Sequence, residues 1–376
     1  MNAFTAPTVL EFFAGGGLAR LGLHGWETRF ANDIDPMKAQ AYRVNFGDQH
    51  LKLADIWDLT LADLPTGWAD LAWASSPCQD LSLAGARKGL SARRSGAFWG
   101  FWRLIEQLDA EGRAPRLIVI ENVVGLLTSN GGEDFRGLCD LLAGAGWTFG
   151  VLEMDAAHWL PQSRPRLFVV ATREPASGLP RPTGPFHSRG VVEAHAALSD
   201  KTRTAWRWWD LPVPARRNAD LASILEPDVA ADWLDEDRTR ALIDQMAPLH
   251  RQRLDAAVAS GERRVGAAFR RVRIEQGVKV QRIEARFDGL AGCLRTPAGG
   301  SSRQYVFVAE HGRVRARFLT PREALRLMGV GDDYRLPGSI SAGLKLAGDG
   351  VAVPVVRALS EGLLKPLLSG QAVRAA

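Results

Sequence analysis

The chain has 376 residues, which leaves room for about two to three domains and easily supplies a stable core. Its 24% charged and 46% hydrophobic residues exclude a disordered chain, and 47 Lys and Arg against 42 Asp and Glu give a net charge of +5 that fits a polyanionic partner without requiring one. No apolar run approaches a membrane span, no secretory signal opens the chain, and three cysteines are too few for a disulfide framework or a four-cysteine zinc site, so we expect a soluble, cytoplasmic protein without a metal.

The first half of the chain alternates short apolar strands with helical segments. Strands are predicted over 9–13, 28–32, 50–53, 70–74, 116–120, 150–154 and 166–171, and the main helices over 35–45, 96–107 and 133–143. This alternation predicts a doubly wound, mostly parallel α/β sheet of the Rossmann-like type. Ligands of such sheets lie at the carboxyl ends of the strands, so the residues after each strand are the first candidates for chemistry.

Glycines and acidic residues follow the first three predicted strands. Gly15, Gly16 and Gly17 allow close approach of a ligand, although a tight turn without a ligand has the same pattern. Asp33 stands where nucleotide-binding folds hold ribose hydroxyls, and the neighbouring Asp35 is also compatible with a helix N-cap. Asp55, beside an apolar side chain, suits the amino group and face of an adenine, or lies in a surface loop.

The fourth and fifth predicted strands end in residues with chemical potential. Ser75-Ser76-Pro77-Cys78-Gln79 places a thiol in a Pro-restricted loop, whereas most free cysteines, such as Cys139 in its apolar helix, are buried structural residues. Glu121 follows four apolar residues and is either a structural hydrogen-bonding acid or a catalytic acid. The segment 162–166, Gln-Ser-Arg-Pro-Arg, is either an exposed basic turn or an anchor for a phosphate or carbonyl.

In this order the blocks FAGGG, Asp33, Asp55, PCQ, ENV and QSRPR resemble the DNA (cytosine-5)-methyltransferase family. Residues 317–329, RFLTPREALRLMG, and 348–351, GDGV, look like its last two blocks. The resemblance covers about residues 8–173 and 290–358 and implies an S-adenosylmethionine-dependent enzyme that methylates carbon 5 of cytosine. The sequence departs from the family at Leu18, Ser76 and Asp349, where a glycine, an aromatic residue or proline, and an asparagine are usual.

Carried over by position, the resemblance assigns three sets of residues. The cofactor set is Phe13, Gly15, Gly17, Asp33 for the ribose, Ile34 for the adenine face, Asp55 and Ile56 for the adenine edge, Pro77, Asp349 and Val351. The catalytic set is Cys78 as the nucleophile, with Glu121, Arg164 and Arg166 around the target base. The DNA-contacting set is Gln79, Arg87, Lys88, Arg93, Arg94, Arg295, Thr296, Ser301 and Arg303.

These residue types suit the reaction that the resemblance implies. Addition of a thiolate at carbon 6 of cytosine makes carbon 5 nucleophilic toward a sulfonium methyl. Glu121 would hydrogen-bond the ring nitrogen 3, and Arg164 or Arg166 the carbonyl oxygen. The target nucleotide must swing out of the duplex. The loop 81–95, with four cations, is then expected to close over DNA, the alternative being a merely solvated loop.

From about residue 174 the alternation stops at a Pro- and Gly-rich segment. We predict a catalytic domain of residues 1–173 and 305–376 and an inserted target-recognition domain of residues 174–304. A basic cluster, Arg263, Arg264, Arg270, Arg271, Arg273, Lys279, Arg282 and Arg286, is interpreted as a phosphate-contacting surface or a solvated helix face. Trp206, Trp208 and Trp209 favour local core, and a carboxyl-terminal helix is predicted over 351–368.

The predicted partner is double-stranded DNA, and the predicted state is a monomer. The resemblance is to bacterial and phage enzymes, and the sequence leaves open whether a separately acting restriction endonuclease accompanies this one. Three other functions were weighed against the motifs: a tRNA methyltransferase with the same chemistry, a non-catalytic DNA-binding protein, and a dinucleotide oxidoreductase. The inserted segment and PCQ favour DNA over tRNA, intact Cys78 and Glu121 favour catalysis, and an oxidoreductase explains neither PCQ nor the inserted segment.

Overall fold

The structure, a computed structural model, describes residues 6–77, 96–296 and 303–370. The chain divides into two compact units. Unit 1 comprises Met1–Asp155, Pro165–Val213 and Val355–Ala376, and unit 2 comprises Ala156–Arg164 and Pro214–Pro354. This division follows spatial proximity, whereas the predicted domain boundaries follow the sequence blocks of a family and stay a prediction.

Unit 1 is built on a seven-stranded sheet with the order β3-β2-β1-β4-β5-β7-β6. The strands are β1 (Thr8–Phe12), β2 (Glu27–Asp33), β3 (Leu51–Leu53), β4 (Leu71–Ala74), β5 (Leu117–Val123), β6 (Thr148–Asp155) and β7 (Pro165–Thr172). The first five are parallel, and β7 runs antiparallel to both β5 and β6. All seven predicted strands are present, and the mostly parallel α/β class is confirmed.

Among the described residues of unit 1, six α-helices precede the carboxyl-terminal segment. They are α1 (Leu18–Gly22), α2 (Pro36–Phe46), α3 (Ala97–Ala110), α4 (Glu133–Gly144), α5 (Arg189–Ala196) and α6 (Asp200–Thr204). The predicted helices over 35–45, 96–107 and 133–143 are confirmed as α2, α3 and α4. Leu10 and Phe12 of β1 share a buried cluster with Phe98 and Phe101 of α3, because central parallel strands are covered on both faces.

Unit 2 contains a four-stranded antiparallel sheet with the order β11-β10-β8-β9. Its strands are β8 (Arg264–Glu275), β9 (Val278–Arg286), β10 (Tyr305–Glu310) and β11 (Arg313–Phe318), and its helices are α7 (Glu236–Asp244), α8 (Pro248–Ala259), α9 (Pro321–Arg326) and α10 (Ile340–Asp349). Leu242 and Leu254 of the helices pack on Ile283 and Phe307 of the sheet. Unit 2 therefore has its own hydrophobic core.

The carboxyl-terminal helix predicted over 351–368 is present as two α-helical segments joined by one π-helical turn. It consists of α11 (Val353–Leu359), a π-helical turn (Ser360–Leu364) and α12 (Lys365–Leu368). Within unit 1, Trp26 Nε1 donates to Ser360 Oγ at 2.8 Å, and Arg116 donates to the Leu368 carbonyl at 2.9 Å. These bonds fix residues 360 and 368 of this helix to the body of unit 1.

Several residues that the sequence left ambiguous are buried. Trp206, Trp208 and Trp209 are 5%, 9% and 1% exposed, which confirms them as core residues. Cys139 is fully buried, and burial raises the pKa of its thiol well above the usual value.

In the described part of the chain, no helix has the length and apolarity that a bilayer crossing requires.

Candidate active site

The glycine turn between β1 and α1 is held in an unusual backbone conformation. Phe13, Gly15 and Gly17 have φ of 58°, 57° and 80°, in the left-handed region that only glycine adopts without strain. A Cβ at Gly17 would lie 2.4 Å from the Phe46 ring, whereas a Cβ at Gly15 would meet no atom within 4 Å. Gly17 is therefore required by packing, and Gly15 faces open space where a ligand can approach.

Asp33, at the end of β2, organises this turn. Its Oδ2 accepts the Gly15 N–H at 2.8 Å, its Oδ1 accepts the Asp35 N–H at 2.8 Å, and the residue is 7% exposed. The adjacent Ile34 side chain is 63% exposed. A fixed carboxylate beside an exposed aliphatic side chain suits a ribose next to an aromatic base. Asp35 itself is the N-cap of α2 and accepts from the backbone of Met37 and Lys38, which confirms the capping interpretation.

The segment after β3 provides one half-buried acid and one core residue. Asp55 Oδ1 accepts the Trp57 N–H at 3.0 Å. The Ile56 side chain is only 3% exposed and packs where Gly100 of α3 leaves space for it. A contact between Ile56 and an adenine would therefore use its backbone rather than its side chain, and the predicted contact of Asp55 stays a prediction.

Sequence inspection did not single out Glu11, a carboxyl group in the middle of β1. It is 1% exposed, and neither carboxyl oxygen has a hydrogen-bond partner among the described residues. Burial raises its pKa to about 8, the Arg20 charge opposes this shift, and Asp33 adds to it. The signal was an acid inside the apolar run VLEFF, a placement that is costly when the acid is charged.

The carboxyl ends of β4 and β5 lie side by side, with Ala74 in register with Ile120. Beyond them, Asn122 Nδ2 donates to the Ser76 carbonyl at 3.3 Å, so the start of the PCQ segment is held against the ENV segment. Ser76 is 5% exposed and Pro77 is exposed. The predicted nucleophile Cys78 and the predicted DNA contacts Gln79, Arg87, Lys88, Arg93 and Arg94 lie outside the described residues, as does Ser301.

Glu121 and Arg166 form an ion pair at this end of the sheet, with Arg166 Nε 3.3 Å from Glu121 Oε1. Only 11% and 16% of the two side chains are exposed. A carboxylate and a guanidinium thus meet at the strand ends, and together they can hydrogen-bond a ring that carries a nitrogen beside a carbonyl oxygen. The structure brings together these two members of the predicted catalytic set.

Arg164 has a different environment within unit 2. It is 2% exposed and donates to the carbonyls of Leu294, Gly348 and Gly350 at 3.0, 2.8 and 2.6 Å. Both terminal nitrogens of Arg164 donate to backbone carbonyls, so this side chain holds the segment around 294 against the segment 348–350. The predicted contact of Arg164 with the target base stays a prediction.

The remaining predicted residues of unit 2 lie around these two segments. The Thr296 hydroxyl donates to the Asp349 carboxylate. Thr296 is half-buried and Asp349 is exposed. Val351 is 4% exposed and belongs to the core, while Arg295 is exposed. The Arg303 guanidinium lies 4.1 Å from the Phe318 ring centroid, and partial burial lowers its pKa.

The comparisons with known proteins agree with this architecture. The family model of the C-5 cytosine-specific DNA methylases matches residues 7–365. The chain is 25% identical to the Type II methyltransferase M1.ScrFI of Lactococcus lactis subsp. cremoris, over 96% of this chain and 78% of the relative. It is also 25% identical to the Type II methyltransferase M.HaeII of Haemophilus aegyptius, over 95% of this chain and 93% of the relative.

Among solved structures, the fold is similar to that of the S. pombe Dnmt2 methyltransferase. The TM-score is 0.59 at 19% identity, over 97% of this chain and 99% of the other. A likeness at this identity supports the fold, and the family model supplies the family. Because that model spans almost the whole chain, including both sheets, the chain belongs to the C-5 cytosine-specific DNA methylases.

Proposed function

We propose that this chain transfers a methyl group from S-adenosylmethionine to carbon 5 of a cytosine in double-stranded DNA, with Cys78 as the covalent nucleophile. The observation that carries the proposal is the bond from Asn122 to the Ser76 carbonyl, next to the ion pair of Glu121 with Arg166. The hydrogen bond joins Ser76, two residues before Cys78, to Asn122, the residue that follows Glu121.

The glycine turn and the ends of β2 and β3 fit S-adenosylmethionine. The space at Gly15 admits a ligand close to the backbone, the fixed Asp33 carboxylate suits ribose hydroxyls, and the exposed Ile34 suits the adenine face. Phe13 and Asp55 would complete this set. When bound, the cofactor supplies a methyl group made electrophilic by its sulfonium.

The chain's own residues would divide the work on the base as follows. The Cys78 thiolate bonds to carbon 6, which leaves carbon 5 able to attack the methyl group. Glu121 holds a proton at ring nitrogen 3 and Arg166 donates to the carbonyl oxygen, so that negative charge on the ring is stabilised. Loss of the carbon 5 proton then expels the thiolate and restores the aromatic ring. The target nucleotide enters this site flipped out of the duplex.

A trapping experiment tests the proposal. Duplex DNA containing 5-fluorocytosine at the target should form a protein adduct that survives denaturation, since fluorine cannot leave as a proton. Cys78→Ser should still bind DNA but form no adduct and transfer no methyl group. An adduct in the Cys78→Ser protein, or methyl transfer to tRNA but not to duplex DNA, would refute the proposal. Bisulfite sequencing of DNA from cells that express the chain identifies the target sequence for these duplexes.

A further inference from the structure

The β8–β9 hairpin extends beyond the rest of the sheet in unit 2. Strand β10 pairs with β8 only as far as Ala268, while β8 and β9 remain paired to their ends at Glu275 and Val278. On the β9 edge, the outermost backbone hydrogen bond to another segment is the one that the Ile283 N–H donates to the Gln245 carbonyl. Residues 271–282 therefore form a two-stranded ribbon, here called the free ribbon, with no third strand among the described residues.

The free ribbon is held together by its own strand pairing. Five cross-strand pairs lead to a two-residue turn, in which Gln276 and Gly277 have φ of 50° and 80°. Positive φ at both turn residues gives the twist that a tight hairpin needs. At ~3.3 Å per residue the five pairs span about 13 Å.

On one face of the ribbon, here called the paired face, three arginines form ion pairs with two glutamates. Arg271 Nε lies 3.2 Å from Glu284, Arg273 Nε lies 2.7 Å from the same carboxylate, and Arg282 Nε lies 2.7 Å from Glu275. Other members of the basic cluster are also paired: Arg263 with Asp228 and Glu310, Arg264 with Glu262, and Arg286 with Asp288. Most of the predicted phosphate-contacting surface is therefore engaged within the protein.

The opposite face, here called the open face, has a different composition. It carries Arg270, Val272, Ile274, Lys279 and Gln281, because residues alternate between the faces of paired strands. Val272 and Ile274 are 59% and 73% exposed. Within the described ranges, neither Arg270 nor Lys279 has an acidic partner, and Arg270 lies 5.7 Å from the Tyr305 ring centroid.

The open face continues the core face of the sheet beyond its helical cover. Ala268, Ile283 and Ala285 lie on the same side and are buried under the helices of unit 2. Further out, the same side presents exposed aliphatic side chains between cations and carries no acid. A cationic, partly apolar strip is complementary to a polyanion that also offers apolar contacts, and it does not resemble an ordinary solvated face.

We propose that the open face of the free ribbon enters the major groove of the substrate DNA, with Arg270 and Lys279 on phosphates and Gln281, Val272 and Ile274 at base edges. The proposal rests on the proposed function for its choice of DNA. A two-stranded ribbon fits the width of the major groove. Glutamine pairs with the N6 and N7 edge of adenine, and aliphatic side chains contact the thymine methyl group. The target sequence should therefore include A·T pairs beside the cytosine.

Binding measurements test the phosphate contacts without requiring turnover. A fluorescein-labelled 30-base-pair duplex of mixed sequence is titrated with wild type, R270A/K279A, R270K/K279R and the paired-face control R273A, at several salt concentrations. The R270A/K279A protein should bind about tenfold or more weakly and lose about 1.8 from the slope of log K against log salt, at ~0.9 per phosphate contact. The R270K/K279R protein should retain the wild-type slope, and R273A should change it little.

Sequence readout is tested separately by bisulfite sequencing. Gln281→Ala should relax the target at one position while the affinity for S-adenosylmethionine stays at the wild-type value. The placement of the open face on DNA would be overturned if R270A/K279A kept the wild-type affinity and salt slope, or if R273A lost as much affinity as R270A/K279A. The open face would then be assigned to a protein partner. If wild type binds the duplex through the open face but methylates no DNA, the proposed function fails while this inference stands.

Discussion

Arg166 is the diagonal cross-strand neighbour of Glu121, and their side chains meet at 3.3 Å. Strand β7 runs antiparallel to β5, which sets Val123 opposite Arg166 and Glu121 opposite Phe168. Residues two positions apart on paired strands share a face, so the acid and the guanidinium converge. This pairing of groups at the strand ends leads to the first prediction.

Glu121→Gln removes the acid but keeps its size and should lower the turnover number by about 10²–10⁴-fold, the usual contribution of a positioned acid or base. The affinities for DNA and cofactor should change little, because the glycine turn and the DNA-contacting residues are untouched. Single-turnover methyl transfer measures the effect. The control is Glu111→Gln, which breaks the exposed ion pair with Arg113. Unchanged turnover in Glu121→Gln would assign the acid a purely structural role.

Two glycines of the turn between β1 and α1, Gly15 and Gly17, should respond differently to alanine. Gly17→Ala drives a Cβ into Phe46 and should lower the free energy of unfolding by roughly 1–3 kcal/mol. Gly15→Ala meets no protein atom, so it should cost only about 1 kcal/mol for its backbone conformation but weaken S-adenosylmethionine binding markedly. Thermal unfolding and calorimetric titration separate the two effects.

Gly67→Ala is the matched control for these glycine variants, since its φ of 86° and its open surroundings carry the same backbone cost away from the turn. If Gly15→Ala bound the cofactor as tightly as Gly67→Ala, the space at Gly15 would not belong to the cofactor site.

Glu11 should make stability fall as pH rises. Its pKa is raised from 4.5 to about 8, so the folded state holds a proton that the unfolded state has lost between these pH values. The free energy of unfolding should therefore decrease from about pH 4.5 to pH 8, by at most about 1.4 kcal/mol per pH unit from this group. Below pH 4.5 the contribution is fully present.

Glu11→Gln should remove that slope and make the protein more stable than wild type at pH 8. Denaturant titrations at pH 5, 6.5 and 8 measure the difference, with Glu27→Gln as the control because Glu27 is an exposed acid of the neighbouring strand. Parallel pH profiles for wild type and Glu11→Gln would show that Glu11 is charged in the folded protein.

Arg164→Gln should destabilise unit 2 without abolishing chemistry. It loses three bonds from a charged donor to buried carbonyls, which should lower the free energy of unfolding by about 3 kcal/mol or more. The Michaelis constant for DNA should rise, while adduct formation with 5-fluorocytosine persists at saturating DNA. Lysine at this position should restore only part of the stability, since an ammonium lacks the planar fork.

Denaturation curves and adduct yields are compared with those of Arg322→Gln, an arginine of unit 2 that donates to the carbonyls of Gly331 and Tyr334. If Arg164→Gln formed no adduct at saturating DNA while its free energy of unfolding matched that of Arg322→Gln, Arg164 would be assigned a contact with the target base.

The sequence by itself determined the strand–helix alternation, the order of the strands along the chain and the family. The apolar run 117–120 predicts a buried central strand, and the residues after parallel strands fall at one edge of the sheet. Asp33 and Glu121 were found in this way, because strand ends are visible as changes from apolar to polar residues, whereas Arg166 was found as a basic residue at the start of the last strand.

Only the tertiary structure decided what each side chain contacts. Arg164 and Arg166 are two residues apart and chemically identical, yet one donates to three carbonyls and the other pairs with Glu121. The basic cluster of β8 and β9 similarly divides into a paired face and an open face, because cross-strand register places Glu275 and Glu284 on one side alone. Hydrogen bonds and ion pairs join residues far apart in sequence, so their partners depend on register and burial, which a linear pattern of residue types does not specify.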